Sequence, residues 1–223
     1  MPNARRAAQW NREFLRRAVK YLVGEAGIRQ IIDIGAGLPT AGNTHEVAAE
    51  ASSGVRVAYV DHDPVVLVHA RDMVNAVPGT AVIEGDLRSP EAILADPALT
   101  ALIDFTKPVA FLLLSVLHFI GEEADPAGIV ARLHSPFPSG SYVAISHATP
   151  DVIARVADAA KVFDRATERA HVRSSAEIAK LAIGLDMVEP GLVWTPHWRP
   201  EPGSPVPPNV QESYYRAVVA RKP

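Results

Sequence analysis

Apolar residues in the first two thirds of the chain alternate between short continuous runs and segments of helical spacing. Five runs have the length and composition of buried strands, at residues 29–34, 55–60, 80–84, 108–114 and 140–145. Helical segments separate them, and this order predicts parallel strands joined by right-handed crossovers, with helices on both faces of the sheet.

The helical segments carry recognisable signals. Residues 4–23 repeat apolar side chains such as Trp10, Phe14 and Leu22, with arginines between them. Ser174, with Glu177 three residues later, predicts a capping box. The other helices are predicted to begin near residues 43–44 and at Pro64, and to span 90–102, 125–133, 150–167 and 174–184.

The end of the chain departs from this alternation. Residues 187–193 and 214–220 are predicted as an antiparallel pair of strands, separated by a proline-rich loop at 196–208. We therefore predict an α/β fold, a Rossmann-like, doubly wound, three-layer α/β/α arrangement. It is expected to be one domain over residues 1–223, with an N-terminal helix (1–27), a ligand-binding half (28–148) and a C-terminal half (149–223).

Composition narrows the classes of function. The 223 residues are 48% hydrophobic and carry a formal net charge of −3, which argues against nucleic acid and anionic membranes as partners. The chain has no cysteine, which excludes disulfides and thiolate sites. No apolar run is long enough for a membrane span and no signal peptide is recognisable, so we expect a cytoplasmic protein. Frequent Arg, Ala and Pro suggest a GC-rich bacterial genome.

Candidate chemistry begins where the first predicted strand ends, at Asp33, Gly35 and Gly37. A strand, a glycine turn and a helix open a nucleotide-binding unit, because glycine lets backbone approach a ligand. A dinucleotide fingerprint would require glycine where Thr40 stands, and an acid is unfavourable beside a diphosphate. The acid instead suits an ammonium or sulfonium group, and S-adenosylmethionine carries both. The alternative is an ordinary corner with a surface Asp.

Further acids follow the second and third strands. Asp61 is placed to hold both hydroxyls of an adenosine ribose, whereas we interpret Asp63 as a helix cap. Asp86 could accept from an adenine amino group, with Leu87 offering an N–H and an apolar face; the alternative is a turn Asp. Ser115, His118, Ser146 and His147 follow strands four and five. All of these residues lie at the carboxyl ends of strands, where ligands bind in such sheets.

These segments resemble class I S-adenosylmethionine-dependent methyltransferases. The closer resemblance is to a bacterial S-adenosyl methyltransferase family long described as a domain of unknown function. It rests on residues 11–19, 33–40, 43–46, 59–64, 85–88, 117–119 and 146–148, and it covers most of residues 5–195. The resemblance implies a seven-stranded, mostly parallel sheet whose last strand is antiparallel.

The resemblance also implies the cofactor, S-adenosyl-L-methionine, and its contacts. The implied contacts are Asp33, Gly35, Ala36 and Gly37 at the methionine part, Asp61 with its neighbour His62 at the ribose, Asp86 and Leu87 at the adenine, and Ser115 in the pocket wall. Members of the family have a further N-terminal helical segment with a Gly-Gly-Lys-Asp-like stretch. This sequence begins almost at the helix before strand one, so we expect a less complete lid.

Methyl transfer can proceed largely by alignment, and a hydroxyl acceptor would also need a general base. His118 and His147 are the candidate bases; the alternatives are a pocket wall or a structural role. Neither histidine has a partner at metal-ligand spacing, so no metal is expected.

The first hypothesis is a methyltransferase acting on a small molecule, as a monomer or homodimer. The alternative is a non-catalytic protein that binds S-adenosylmethionine or S-adenosylhomocysteine. A nicotinamide oxidoreductase is a third hypothesis, but the Tyr-x-x-x-Lys pair typical of that chemistry is missing.

Overall fold

The computed structural model describes residues 2–39, 42–74, 76–151, 170–203 and 209–223. The helix predicted at 150–167 lies almost wholly outside these ranges, as do residues 204–208 of the predicted proline-rich loop. Within them the chain alternates between helices and strands as far as residue 148.

The strands have the following bounds: β1 Gln30–Ile34, β2 Arg56–Asp61, β3 Thr80–Glu84, β4 Ala110–Leu114, β5 Tyr142–Ala148, β6 Asp186–Met187, β7 Val193–Trp194 and β8 Tyr215–Arg221. They form one sheet in the order β3-β2-β1-β4-β5-β8-β6, and β7 also pairs with β8. The first five strands are parallel, whereas β8 runs antiparallel to β5. This arrangement confirms the predicted mixed sheet with an antiparallel last strand.

The helices lie between these strands. Their bounds are α1 Pro2–Lys20, α2 Thr44–Ala51, α3 Pro64–Val74, α4 Pro90–Leu94, α5 Pro97–Leu102, α6 Pro126–His134 and α7 Ser175–Lys180. A π-helical turn, Tyr21–Glu25, extends α1. The helical segment with turns predicted at 90–102 is two helices, because Asp96 caps α5 by accepting from the N–H groups of Ala98 and Leu99 at 2.8 and 3.1 Å.

The strand predicted at 187–193 is wrong as a continuous element. The chain pairs with β8 at β6, leaves it in a turn, and pairs with it again at β7. Pro190 has no N–H to donate to a ladder, and Gly191 takes a left-handed φ of +78° while its N–H bonds Val188 O at 2.8 Å. The turn between the two short strands follows from this pair.

Each face of the sheet carries its own apolar core. Ile32 and Phe111 belong to the cluster that includes Ile129 of α6, whereas Ile31 belongs to the cluster that includes Phe14 of α1. Burial on both faces explains why the central strands are apolar throughout.

The N-terminal helix is fastened to a distant segment. Arg17 of α1 donates to the carbonyl oxygens of Trp198 and Thr195 at 2.7 and 2.6 Å, which fixes α1 against the sheet. In the described ranges, no helix combines the length and the apolar character needed to cross a membrane.

Candidate functional site

A cleft of about 780 Å³ opens at the carboxyl ends of β1, β2 and β4. This volume falls within the range of about 300–1,000 Å³ that is usual for ligand pockets. The cleft brings together seven of the nine predicted cofactor residues: Asp33, Gly35, Ala36, Gly37, Asp61, His62 and Ser115. These side chains come from three separate strand ends, so they meet only because β1 lies between β2 and β4.

The glycine turn after β1 is constrained at one glycine and open at the other. Gly35 has a φ of +71°, and a Cβ there would lie 2.5 Å from Cγ2 of Val116. Gly37 has a φ of +65°, but among the described residues no atom other than those of its chain neighbours lies within 4 Å of the place where its Cβ would stand. Backbone can therefore approach a ligand closely beside Gly37.

Asp61 joins the end of β2 to this turn. Its Oδ2 accepts from the Gly37 N–H at 3.1 Å, and its Oδ1 accepts from the Asp63 N–H at 3.0 Å. The side chain is nearly buried at the cleft wall. Asp63 in turn accepts from the Val65 N–H at 2.8 Å, in the manner of a helix cap.

Asp33 is the most buried acid of the cleft, with 6% of its surface exposed. Burial and the nearby charge of Asp61 raise the pKa of this carboxyl to about 6, while a hydrogen bond from Thr44 and the charge of Arg12 oppose the rise. Thr44 Oγ1 donates to Asp33 Oδ2 at 2.6 Å. A bound cation would therefore stabilise the ionised form of Asp33.

The sequence interpretation missed the two polar residues that α1 contributes to the cleft, Asn11 and Arg12. Asn11 Nδ2 donates to Ser115 Oγ at 2.8 Å, whereas its Oδ1 is buried without a hydrogen-bond partner in the part of the chain that the structure describes. The charge of Arg12 acts on Asp33. Helical spacing shows that Ala8, Asn11, Arg12 and Leu15 share one face of α1, but not that this face meets the cleft.

Ser115 turns the chain sharply at the end of β4. It is a non-glycine residue at a φ of +57°, a conformation that costs energy and is often found at functional sites. Its N–H donates to Ser146 O and Ser146 Oγ, each at 3.0 Å. The turn leads directly into Val116, whose side chain packs against Gly35.

The structure does not bring Asp86 and Leu87 into the cleft lining. Arg88 binds both carboxylate oxygens of Asp86, with Nη2 at 2.6 Å from Oδ2, and this contact lowers the pKa of Asp86. Leu87 is buried in the core cluster that includes Ile93. Their contact with adenine stays a prediction.

The structure does not support His147 as a general base. Its ring is fully buried outside the cleft lining, Nδ1 donates to Ala148 O at 2.7 Å, and Nε2 accepts from Arg173 Nη1 at 2.9 Å. Burial lowers its pKa to about 4. Both ring nitrogens thus form hydrogen bonds within the protein, which agrees with a structural role for His147.

His118 is also removed from the cleft lining, with 2% of its surface exposed. Burial, together with the charges of His147 and Arg173, lowers its pKa to about 3. Its ring lies 5.7 Å from that of His147 and 5.9 Å from that of Tyr215, measured between centroids. A base with so low a pKa removes protons poorly near neutral pH, which favours the structural alternative for His118; its role as a general base stays a prediction.

No three potential metal-ligating side chains are grouped together in the described ranges. The expected absence of a metal site stays a prediction.

A sequence profile described as S-adenosyl methyltransferase matches residues 1–223. The chain belongs to this family. S-adenosyl-L-methionine is accordingly its cofactor, and methyl transfer is its class of reaction, with an acceptor that the family does not identify. No curated protein sequence is significantly similar to this methyltransferase.

Solved structures agree with this assignment. A DUF574 family protein of Streptomyces avermitilis is 37% identical, with a TM-score of 0.92 over 100% of this chain and 86% of its own. A protein of Thermobifida fusca, provisionally named a methyltransferase, is 36% identical, with a TM-score of 0.92 over 100% of this chain and 84% of its own. Both organisms are bacteria, which supports a bacterial origin.

More distant structures share the fold alone. Human N-acetylserotonin methyltransferase in complex with S-adenosylmethionine is 16% identical, with a TM-score of 0.56 over 93% of this chain and 51% of its own.

The residues of the cleft fit this cofactor. The buried Asn11 Oδ1 requires a donor, the buried Asp33 favours a cation, and the space beside Gly37 is open. The ammonium group at the amino-acid end of the cofactor is both a hydrogen-bond donor and a cation, so it meets both requirements. The acidic wall suits a ligand that has no phosphate.

Proposed function

We propose that this methyltransferase methylates a small-molecule acceptor, and that it does so by aligning two ligands in the cleft rather than by using a histidine base. The observation that carries the proposal is the meeting of Asp33, Asp61 and the glycine turn in one cavity of about 780 Å³. When bound, S-adenosylmethionine supplies a methyl group activated by a sulfonium. Each residue of the cleft then has a separate task.

Arg12 is proposed to bind the carboxylate of the cofactor. Arg12 lines the cleft, and no carboxylate lies within ion-pair distance of it among the described residues. Arginine recognises carboxylates with two parallel hydrogen bonds, which fixes orientation as well as position. The contact would hold one end of the amino-acid portion against α1.

Asp33 and Asn11 are proposed to hold the ammonium group. Asp33 offers a buried carboxylate, and Asn11 offers an oxygen that lacks a partner in the described part of the chain. A buried acceptor that is left without a donor costs about 1–3 kcal/mol, so a ligand that donates to it recovers that energy on binding.

Asp61 is proposed to bind the ribose. Its carboxylate stands at the end of β2 and already accepts two backbone N–H groups, which fix its orientation. Each carboxylate oxygen can accept a further hydrogen bond from a hydroxyl group. Together with Arg12, this contact would fix both ends of the cofactor.

The acceptor is proposed to bind next to Ser115, Val116 and Phe119, which line the cleft beyond the glycine turn. With both histidines removed from the lining, alignment of the reacting atoms carries the reaction, and alignment alone supplies up to about 7–11 kcal/mol in favourable cases. A concave, partly apolar wall and a net charge of −3 favour a small molecule over a nucleic acid.

Calorimetry with S-adenosylmethionine, combined with an assay for S-adenosylhomocysteine released in the presence of a panel of small acceptors, tests the proposal. Binding and product with at least one acceptor support it. Binding without product on any acceptor favours the non-catalytic alternative. Tight binding of NADH, with none of S-adenosylmethionine, contradicts both.

A further inference from the structure

A second cavity, of about 770 Å³, opens at the opposite edge of the sheet from the cofactor cleft. Its wall comes from the segments that enter the parallel strands, including Gln30 at β1, Arg56 at β2 and Tyr142 at β5. We call it the basal cavity. It is as large as the cofactor cleft, and no step of the proposed reaction uses it.

The basal cavity is cationic in a protein whose formal net charge is −3. Four basic side chains line it: Arg29, Arg56, Lys107 and Arg221. Glu25 is the single acid among its described lining residues, and that carboxylate already pairs with Arg199 at 2.8 Å. The cavity therefore concentrates positive charge, although the chain as a whole has a negative net charge.

Two of the arginines are held in place without being neutralised. Arg29 Nη1 donates to the carbonyl oxygens of Val23 and Ile28, both at 2.9 Å, and Arg56 Nη1 donates to Leu102 O at 2.8 Å. Neither has a carboxylate partner within the described ranges. A guanidinium carries five N–H donors, so each retains donors for an anion while its position is restrained.

The other two basic residues differ in how far they are compensated. Lys107 Nζ lies 2.9 Å from Asp104 Oδ2, so its charge is partly balanced. Arg221, at the end of β8, makes no hydrogen bond or ion pair through its side chain to the described residues. Tyr142 adds a largely buried aromatic ring, which packs edge-on against Tyr21 with 6.2 Å between centroids.

We propose that the basal cavity binds a small anion that carries phosphate groups, at a site separate from the cofactor cleft. Phosphate oxygens accept two parallel N–H groups from a guanidinium, and neighbouring arginines can bind neighbouring phosphates in this way. The acidic cleft repels the same ligand, so the two cavities select opposite charges. This inference does not depend on the proposed methyl transfer.

Inorganic pyrophosphate is the probe, titrated by calorimetry at low ionic strength into the wild-type chain and into Arg221→Gln. The variant loses no hydrogen bond between described residues, so it is expected to fold normally. It is expected to bind pyrophosphate about tenfold more weakly, in line with one charge-assisted contact. Arg71→Gln, on an exposed position of α3, makes the same change of charge away from the cavity and is expected to bind as the wild type does.

A second variant, Arg29→Gln combined with Arg56→Gln, is expected to abolish the binding, with thermal unfolding measured alongside to confirm that it is folded. Saturation with S-adenosylhomocysteine is expected to leave pyrophosphate binding unchanged. The proposal is overturned by any of three results: no binding to the wild type, equal weakening by Arg71→Gln and Arg221→Gln, or displacement of pyrophosphate by S-adenosylhomocysteine.

Discussion

Asn11 donates its side-chain N–H to Ser115 Oγ across 2.8 Å, which ties α1 to the end of β4 although the two residues are 104 positions apart. The contact leaves Asn11 Oδ1 buried at the same cleft that Ser115 lines. The N-terminal helix is therefore part of the cleft wall as well as a cover for the sheet.

Replacing Arg12 tests the recognition of the cofactor carboxylate. Arg12→Gln is expected to weaken binding of S-adenosylhomocysteine by about 10- to 100-fold, because a hydrogen bond to a charged group contributes about 1.5–3 kcal/mol. Binding of 5′-methylthioadenosine, which lacks the amino-acid portion, is expected to stay the same. Calorimetry with both ligands gives the comparison.

Arg5→Gln is the matched control for Arg12, since Arg5 is exposed on the same helix and does not line the cleft. It is expected to bind both ligands as the wild type does. If Arg12→Gln weakens both ligands equally, Arg12 does not recognise the carboxylate; if neither ligand binds the wild type, the proposed cofactor site itself is wrong.

The raised pKa of Asp33 predicts that the free energy of unfolding depends on pH. Its pKa is raised from 3.8 to about 6 in the folded chain, so folding favours the protonated form, and this contribution is lost as the pH rises through about 6. Asp33→Asn avoids the loss and is expected to be more stable than the wild type at pH 7, by on the order of 3 kcal/mol, with little difference at pH 4.

Denaturant unfolding at the two pH values measures this difference, and calorimetry is expected to show that the same variant binds S-adenosylhomocysteine weakly. Equal stability of wild type and variant at pH 7 is the contrary result. Thr44 Oγ1 can still donate to the new amide oxygen, so the comparison isolates the charge of Asp33.

The two glycines of the turn are expected to differ in their tolerance of alanine. Gly35→Ala combines a left-handed φ with a Cβ 2.5 Å from Val116 Cγ2, and is expected to cost about 2–4 kcal/mol of unfolding free energy. Gly37→Ala also places alanine at a left-handed φ, but without a comparable steric clash of its Cβ, and is expected to cost about 1–2 kcal/mol of unfolding free energy.

Thermal and denaturant unfolding of the two glycine variants provide the measurement. A Gly37→Ala variant that is destabilised as strongly as Gly35→Ala would show that the contact with Val116 does not determine the geometry of the turn.

The two histidines are expected to act on stability and not on proton transfer. His147→Leu removes the acceptor that Arg173 Nη1 uses at 2.9 Å and is expected to destabilise the chain by about 1–3 kcal/mol. The affinity for S-adenosylhomocysteine is expected to stay the same, and the rate of methyl transfer to any acceptor found is expected to keep its pH dependence between pH 6 and 9. A normal melting temperature combined with a loss of that pH dependence would restore His147 as a base candidate.

Sequence pattern was sufficient for the sheet and for most of the cleft. β3 has the predicted bounds, and the residues after β1 and β2 meet because parallel strands end at one edge of the sheet. The pattern could not separate Asp61, which lines the cleft, from Asp86, because both stand at strand ends. The structure distinguishes them: Asp86 follows the edge strand β3 and pairs with Arg88.

The other differences between the sequence predictions and the structure also arise from tertiary packing. His118 follows β4 as predicted, whereas His147, which was predicted to follow strand five, lies inside β5 because that strand extends to Ala148. Burial and the neighbouring Arg173 affect the pKa values of both histidines, and neither can be deduced from local sequence. Asn11 and Arg12 were interpreted as part of an amphipathic helix, since nothing local shows that this helix lies against β4.

The most direct measurement is a crystal structure of the chain with S-adenosylhomocysteine. We expect the ribose hydroxyls on Asp61, the carboxylate on Arg12, and the ammonium group between Asp33 and Asn11 Oδ1. An adenosyl group bound away from these four residues, or an amino-acid end that contacts neither Arg12 nor Asn11, would contradict the proposed mode of cofactor binding.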